Sequence, residues 1–114
     1  MKLKRMPSMR DKKRYITFRL HSKNPILYSE MSGAAMKSML NWMGEEGISS
    51  ARVRFIRNLW NARSRTGWLT CLPAAVDDVK TALALVHQIG DDRVIFQVLR
   101  VSGTIKSGKG KLGL

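Results

Sequence analysis

Cysteine is almost missing: Cys71 is the only one in 114 residues. A lone thiol excludes an internal disulfide framework and a zinc site of several thiolates, and it suits a reducing compartment. Acid is scarce as well, with 8 Asp+Glu against 21 Lys+Arg. No apolar run approaches the roughly 20 residues that span a bilayer, so a membrane helix is excluded. Residues 1–10 are basic without the apolar centre of a secretory signal, and the expected location is cytoplasmic. The two histidines, His21 and His87, have no companions at metal-ligand spacing. Glu45-Glu46, Asp77-Asp78 and Asp91-Asp92 are adjacent pairs, whose side chains diverge on a helix or strand, whereas catalytic carboxylates must converge. Gly103 to Lys109 has the spacing of a phosphate loop, but Gly110 stands where such a loop needs a hydroxyl for magnesium. No catalytic residue, no metal site and no cofactor bound by the chain itself is therefore expected.

What the sequence does have is positive charge, +13 in all, gathered in three blocks. Positions 2–14 carry Lys2, Lys4, Arg5, Arg10, Lys12, Lys13 and Arg14 against Asp11. Positions 52–65 carry Arg52, Arg54, Arg57, Arg63 and Arg65 with no acid. The last fifteen residues add Arg100, Lys106, Lys109 and Lys111. Together the blocks exceed the charge of the whole chain, so the remainder is slightly acidic. Segregated cations are what a phosphate-binding surface needs, because each neutralised phosphate releases condensed counterions. The all-arginine middle block adds planar forks that grip a phosphate bidentately or stack on a base. An anionic membrane surface is a poorer fit, since no basic stretch shows a strong amphipathic helical pattern.

Residues 1–13 read as a basic arm, 14–106 as one domain and 107–114 as a glycine- and lysine-rich tail. Ile16, Phe18 and Leu20 alternate with Tyr15, Thr17, Arg19 and His21, a half-buried strand. A helix follows, with Ser29 as its expected cap, Met31, Ala35, Met39, Trp42 and Met43 along its apolar stripe, and Gly44 at its end. Ala51, Val53 and Phe55 alternate with Arg52 and Arg54, and Trp68 to Leu72 reads as a short third strand. Pro73 opens a second helix whose stripe runs through Ala75, Val79, Ala82, Leu83, Val86 and Ile89, with Gly90 as the stop. Val94 to Val101 is the fourth strand. The order is βαββαβ. It predicts an α+β sandwich of ferredoxin-like, RNA-recognition-module-like type, an antiparallel four-stranded sheet with two main helices on one face and the other face free for a partner.

The third strand lacks the aromatic signature of base-stacking RNA modules, and packing is the favoured role of Tyr15 and Trp68. The fourth strand is apolar on both sides. Its outward set, Ile95, Leu99 and Val101, predicts a protein interface, the alternative being burial under the arm or tail. Cys71 reads as a small buried side chain, and His87 as a helix-end residue. Ser102-Gly103-Thr104 reads equally as a phosphate cradle, with glycine allowing close approach, or as an ordinary turn.

Several strings coincide in order and at this length: Lys12-Lys13-Arg14-Tyr15-Ile16, Gly44-Glu45-Glu46-Gly47, Ala82-Leu83-Ala84-Leu85-Val86 and Val101-Ser102-Gly103-Thr104-Ile105-Lys106. Over residues 10–106 they resemble the small protein-subunit family of ribonuclease P, known in archaea as protein component 2 and shared with the eukaryotic enzyme. The resemblance implies a ferredoxin-like fold without base-stacking aromatics and a holoenzyme whose large RNA, using Mg2+, removes the 5′ leader from precursor tRNA. It implies pairing with ribonuclease P protein component 3, two such pairs forming a heterotetramer. The chain alone is then a non-catalytic subunit, contacting precursor tRNA only indirectly. The RNA-binding residues expected are Lys12, Lys13, Arg14, Arg52, Arg54, Arg57, Arg100, Ser102, Gly103, Thr104 and Lys106. Two other readings compete: an RNA- or ribosome-binding protein unconnected with tRNA processing, and a nuclease in its own right.

Overall fold

The computed structural model describes residues 13–104. Residues 1–12 of the expected arm at 1–13, the tail at 107–114 and the site residues Lys12 and Lys106 lie outside the described residues. Strand β1 (Arg14–Ser22) forms as its alternation predicts, with Ile16, Phe18 and Leu20 buried on one side and Arg19 and His21 exposed on the other. Helix α1 (Tyr28–Ala51) begins one residue earlier than the expected cap. Its first turn is held by Glu30, whose carboxylate accepts the Leu27 N–H at 3.1 Å, and Ser29 plays no capping part. Met31, Ala35 and Met39 recur every four residues and are fully buried.

Gly44 ends the first helical segment as expected, but a second segment follows it across a kink. It adopts the non-helical φ 80, ψ 171, a conformation reserved for glycine, and the helical path is taken up again as far as Ala51. Gly47 serves the bend, since a Cβ there would meet Met43 Cβ at 2.8 Å. The second turn of helix consumes the residues expected to start a strand, and β2 is reduced to Arg54–Phe55. A 3₁₀ turn at Arg57–Leu59 leads towards β3 (Thr66–Cys71). Asn61 builds the intervening turn by accepting the N–H groups of Arg63 (3.0 Å) and Ser64 (3.1 Å).

The second helix is shorter than its apolar stripe suggests. Pro73–Ala75 is a 3₁₀ turn, α2 covers Val76–Leu85, and Val86 has extended dihedrals. Ile89 belongs to β4 (Gln88–Ile89), which pairs with the start of β5 (Asp92–Ser102) through a two-residue turn at Gly90-Asp91. Gly90, at φ 62, supplies the left-handed residue that such a hairpin requires. His87 is an exposed residue two beyond the helix, and its Nδ1 lies 3.3 Å from the carbonyl of Leu85, the last helical residue, which fits its expected place at the helix end.

The sheet has five strands, and the expected count of four is corrected. Their order is β2-β3-β1-β5-β4, with every pairing antiparallel. The helices pack together through Ser38, whose hydroxyl donates to the Ala82 carbonyl at 2.6 Å, and cover the face that carries Ile16, Phe18, Leu20, Leu69 and Phe96. Burying each such side chain stabilises by about 1.5–3 kcal/mol. Gly67 is dictated by this packing: a Cβ would lie 2.7 Å from Phe18 Cζ and 2.9 Å from Trp60 Cε3. Trp42, expected in the core, is instead 50% exposed and donates its indole N–H to Asp78 at 3.2 Å.

The opposite face is not simply open. Thr17 pairs with Trp68 and Tyr15 with Thr70 on that side, and Thr17 (0% exposed), Trp68 (2%) and Thr70 are all buried. A bulge between Thr17 and Phe18 against β5 shifts the register there. Val101 pairs with Ile16 and packs on the core, whereas Ile95 pairs with His21 and is 66% exposed. The outward apolar trio is therefore split, with Leu99 half-buried at the bulge. Among the described residues, no helix is long and apolar enough to cross a membrane.

Candidate nucleic-acid interface

Three of the predicted cations meet at the β2–β3 edge. Lys13 precedes β1, whose first residue, Arg14, pairs with Cys71 at the end of β3. Arg54 of β2 pairs with Thr70. Arg52 closes α1, its backbone N–H donating to the Ile48 carbonyl at 3.2 Å. The Leu72 N–H donates to the Ala51 carbonyl at 2.9 Å and ties the helix end to the strand end. The result is a cleft of about 440 Å³ lined by Lys13, Arg52, Val53, Arg54, Thr70, Cys71 and Leu72.

No carboxylate lines this cleft. Its one unfavourable element for an anion is the carbonyl end of α1, equivalent to roughly half a negative charge. Three full positive charges outweigh it, so the cleft as a whole attracts phosphate. The helices carry the reverse pattern: Glu30, Glu45, Glu46, Asp77 and Asp78 against Lys37 and Lys80. A polyanion is thus steered away from the helical layer and towards the β2–β3 edge.

The other candidates divide. Arg57 is exposed but stands apart from the cleft, its guanidinium carbon 5.1 Å from the centroid of the Tyr28 ring. Arg100 is half-buried opposite Thr17 beside the bulge. Ser102 is buried, and its hydroxyl donates to the Thr104 carbonyl at 2.7 Å, so that hydroxyl serves a turn. Gly103 and Thr104 are exposed at that turn. Arg65, in the same block as Arg52 and Arg54, is structural: its Nη1 donates to the Ser22 carbonyl at 2.7 Å and its own carbonyl accepts the Leu20 N–H at 2.8 Å.

The sequence missed Thr70 and Leu72 as walls of the cleft, because they join Arg52 and Arg54 only through strand pairing. Cys71 also lines it, but burial pushes its thiol up to about 11, so at neutral pH it is a protonated, unreactive group. Among the described residues, no cluster of His, Cys, Asp or Glu could hold a metal ion.

A family model described as the Rpp14/Pop5 family matches residues 14–112. The chain belongs to the Rpp14/Pop5 family. Its relatives include the ribonuclease P protein component 2 of Pyrococcus furiosus, 38% identical over 105 residues, covering 92% of this chain and 86% of that protein. The protein of the same name from Archaeoglobus fulgidus is 37% identical, covering 92% of each chain. That from Pyrococcus abyssi is 35% identical over 112 residues, covering 97% of this chain and 93% of the relative. A chain in the cryo-EM structure of yeast ribonuclease MRP shares the fold, with a TM-score of 0.63 at 10% identity, covering 82% of this chain and 76% of that one.

Proposed function

We propose that this chain is a protein subunit of ribonuclease P, whose role is to bind and support the catalytic RNA that removes the 5′ leader from precursor tRNA. Membership of the family and the names of its relatives supply the enzyme. The observation that carries the mechanism is the acid-free cleft of Lys13, Arg52 and Arg54 at the β2–β3 edge. A folded RNA brings phosphates close together, and their repulsion opposes the compact state. Fixed cations inserted between strands reduce that repulsion, which otherwise falls to Mg2+ and other counterions. The chain then contributes electrostatics and position, while bond cleavage and its Mg2+ belong to the RNA.

The finer parts of the reading rest on the same footing. The sheet follows the ferredoxin-like plan, with β4 a two-residue addition at one edge. The protein partner is ribonuclease P protein component 3, with two pairs assembling as a heterotetramer, and the exposed Ile95 belongs to a protein contact. The complex works in the cytoplasm, and precursor tRNA is met through the RNA.

Reconstitution of the holoenzyme tests the proposal. Arg52→Ala combined with Arg54→Ala should raise the Mg2+ concentration needed for half-maximal cleavage of precursor tRNA, with restoration at high Mg2+. An unchanged Mg2+ requirement overturns it.

A further inference from the structure

Away from the cleft, three planar side chains from two distant parts of the sequence, the start of α1 and the turn after β2, meet beside β2. Tyr28 is the first residue of α1 and Trp60 follows the 3₁₀ turn after β2. Their ring centroids are 6.2 Å apart with planes inclined at 59°. Arg57, from the same turn, lies over the Tyr28 ring at 5.1 Å. Trp60 is fixed from beneath, because the absent Cβ of Gly67 leaves the space its ring edge occupies next to Phe18. Both aromatics are only half-buried and Arg57 is exposed. Among the described residues, neither the Arg57 guanidinium, the Tyr28 hydroxyl nor the Trp60 indole N–H hydrogen-bonds to another protein group.

Both rings pack on the core from one side, and cation–π attraction holds the guanidinium over Tyr28, so the three planes are fixed while part of each stays open to solvent. A rigid ledge of aromatic and guanidinium planes, edged by unused donors and carrying a positive charge, matches the chemistry of an unpaired nucleobase and its phosphate. We infer that Arg57, Tyr28 and Trp60 form a stacking station for one unpaired base of an RNA strand. This inference deepens the RNA reading and depends on it. It also changes the role of Arg57 from a phosphate contact to a planar surface. The base is met on the flank of the sheet, where the third strand's lack of a base-stacking aromatic signature is no obstacle.

The test compares binding of the full chain to an oligoadenylate and to an abasic ribose-phosphate strand of the same length, which keeps the phosphates and removes the bases. The wild-type chain should prefer the oligoadenylate by about tenfold, within the range for one base stacked on an aromatic. Arg57→Lys keeps the charge and loses the plane, so it should abolish the preference, as should Tyr28→Leu; Tyr28→Phe should retain it. Arg52→Ala should weaken both strands equally. Equal wild-type affinity for the two strands, or an undiminished preference in Arg57→Lys, overturns the inference and leaves the cleft intact. Failure of the wild-type chain to bind either strand overturns the cleft reading and this inference together.

Discussion

Arg52 ends α1 at φ 54, ψ 49, in the left-handed region. There the Cβ of an ordinary residue crowds the backbone at a cost of about 1–2 kcal/mol, and glycine escapes that cost. Arg52→Gly therefore relieves strain in the folded state, while the freer unfolded chain takes back about 0.4–1 kcal/mol. The net expectation is a gain of about 0.5–1 kcal/mol, and the capping N–H to Ile48 remains in place because it is backbone. Arg52→Ala keeps the Cβ and should change stability little. Both variants remove one of the three cations of the cleft. The slope of log affinity for RNA against log salt should fall in magnitude by about 1 in each. Urea unfolding and a salt titration of RNA binding measure the two effects on the same samples. A stabilised glycine variant with a reduced salt slope means that a strained residue is kept for its charge. A glycine variant destabilised by more than about 1 kcal/mol, or two variants with the wild-type slope, refutes the reasoning.

Gly67→Ala should destabilise by about 1–3 kcal/mol in urea unfolding, because the new methyl meets the Phe18 and Trp60 rings at 2.7 and 2.9 Å; a neutral result would contradict the close approach. Arg65→Ala should also destabilise, by about 1.5–3 kcal/mol, since it strands the Ser22 carbonyl that Nη1 serves. Its effect on RNA affinity should be smaller than that of Arg54→Ala. The Cys71 thiol, raised from 9.0 to about 11 by burial, should react with a thiol reagent at neutral pH only as fast as the chain unfolds. Its folded pKa lies above its unfolded one, so its contribution to stability is complete below pH 9 and is lost as pH rises towards 11. Removing that contribution with Cys71→Ala should flatten the alkaline limb of a stability-against-pH curve.

The elements that were legible in the sequence are those governed by a single period. The two-residue alternation of Ile16, Phe18 and Leu20 and the four-residue repeat of Met31, Ala35 and Met39 give β1 and α1 directly, because each buries one face against one layer. What failed needed information from a partner strand or helix. Nothing between Val94 and Val101 announces the bulge opposite Thr17 and Phe18, yet it moves Val101 to the core side. Trp42 continues the α1 stripe by spacing, but the Asp78 carboxylate holds it at the surface. Val86 and Ile89 continue the α2 stripe, but Val86 caps the helix in an extended conformation and Ile89 joins the hairpin at Gly90. The cations were legible as a block, but charge alone could not separate Arg65, spent on a carbonyl, from Arg52 and Arg54, which share a cleft. Pairing of β2 with β3 makes that separation.

The central claim, that the β2–β3 edge sits on the RNA of ribonuclease P, is most directly tested by hydroxyl-radical probing from a tethered iron chelate. The chelate is attached to Lys13→Cys in one sample and to Asp91→Cys in the other, while buried Cys71 stays unlabelled. Position 13 lines the cleft, and Asp91 lies in the β4–β5 turn at the other end of the strand order. In the reconstituted holoenzyme, cleavage of the catalytic RNA should be confined to a few neighbouring nucleotides from position 13 and be weak or absent from position 91. Strong cuts from position 91 and none from position 13 would contradict the account.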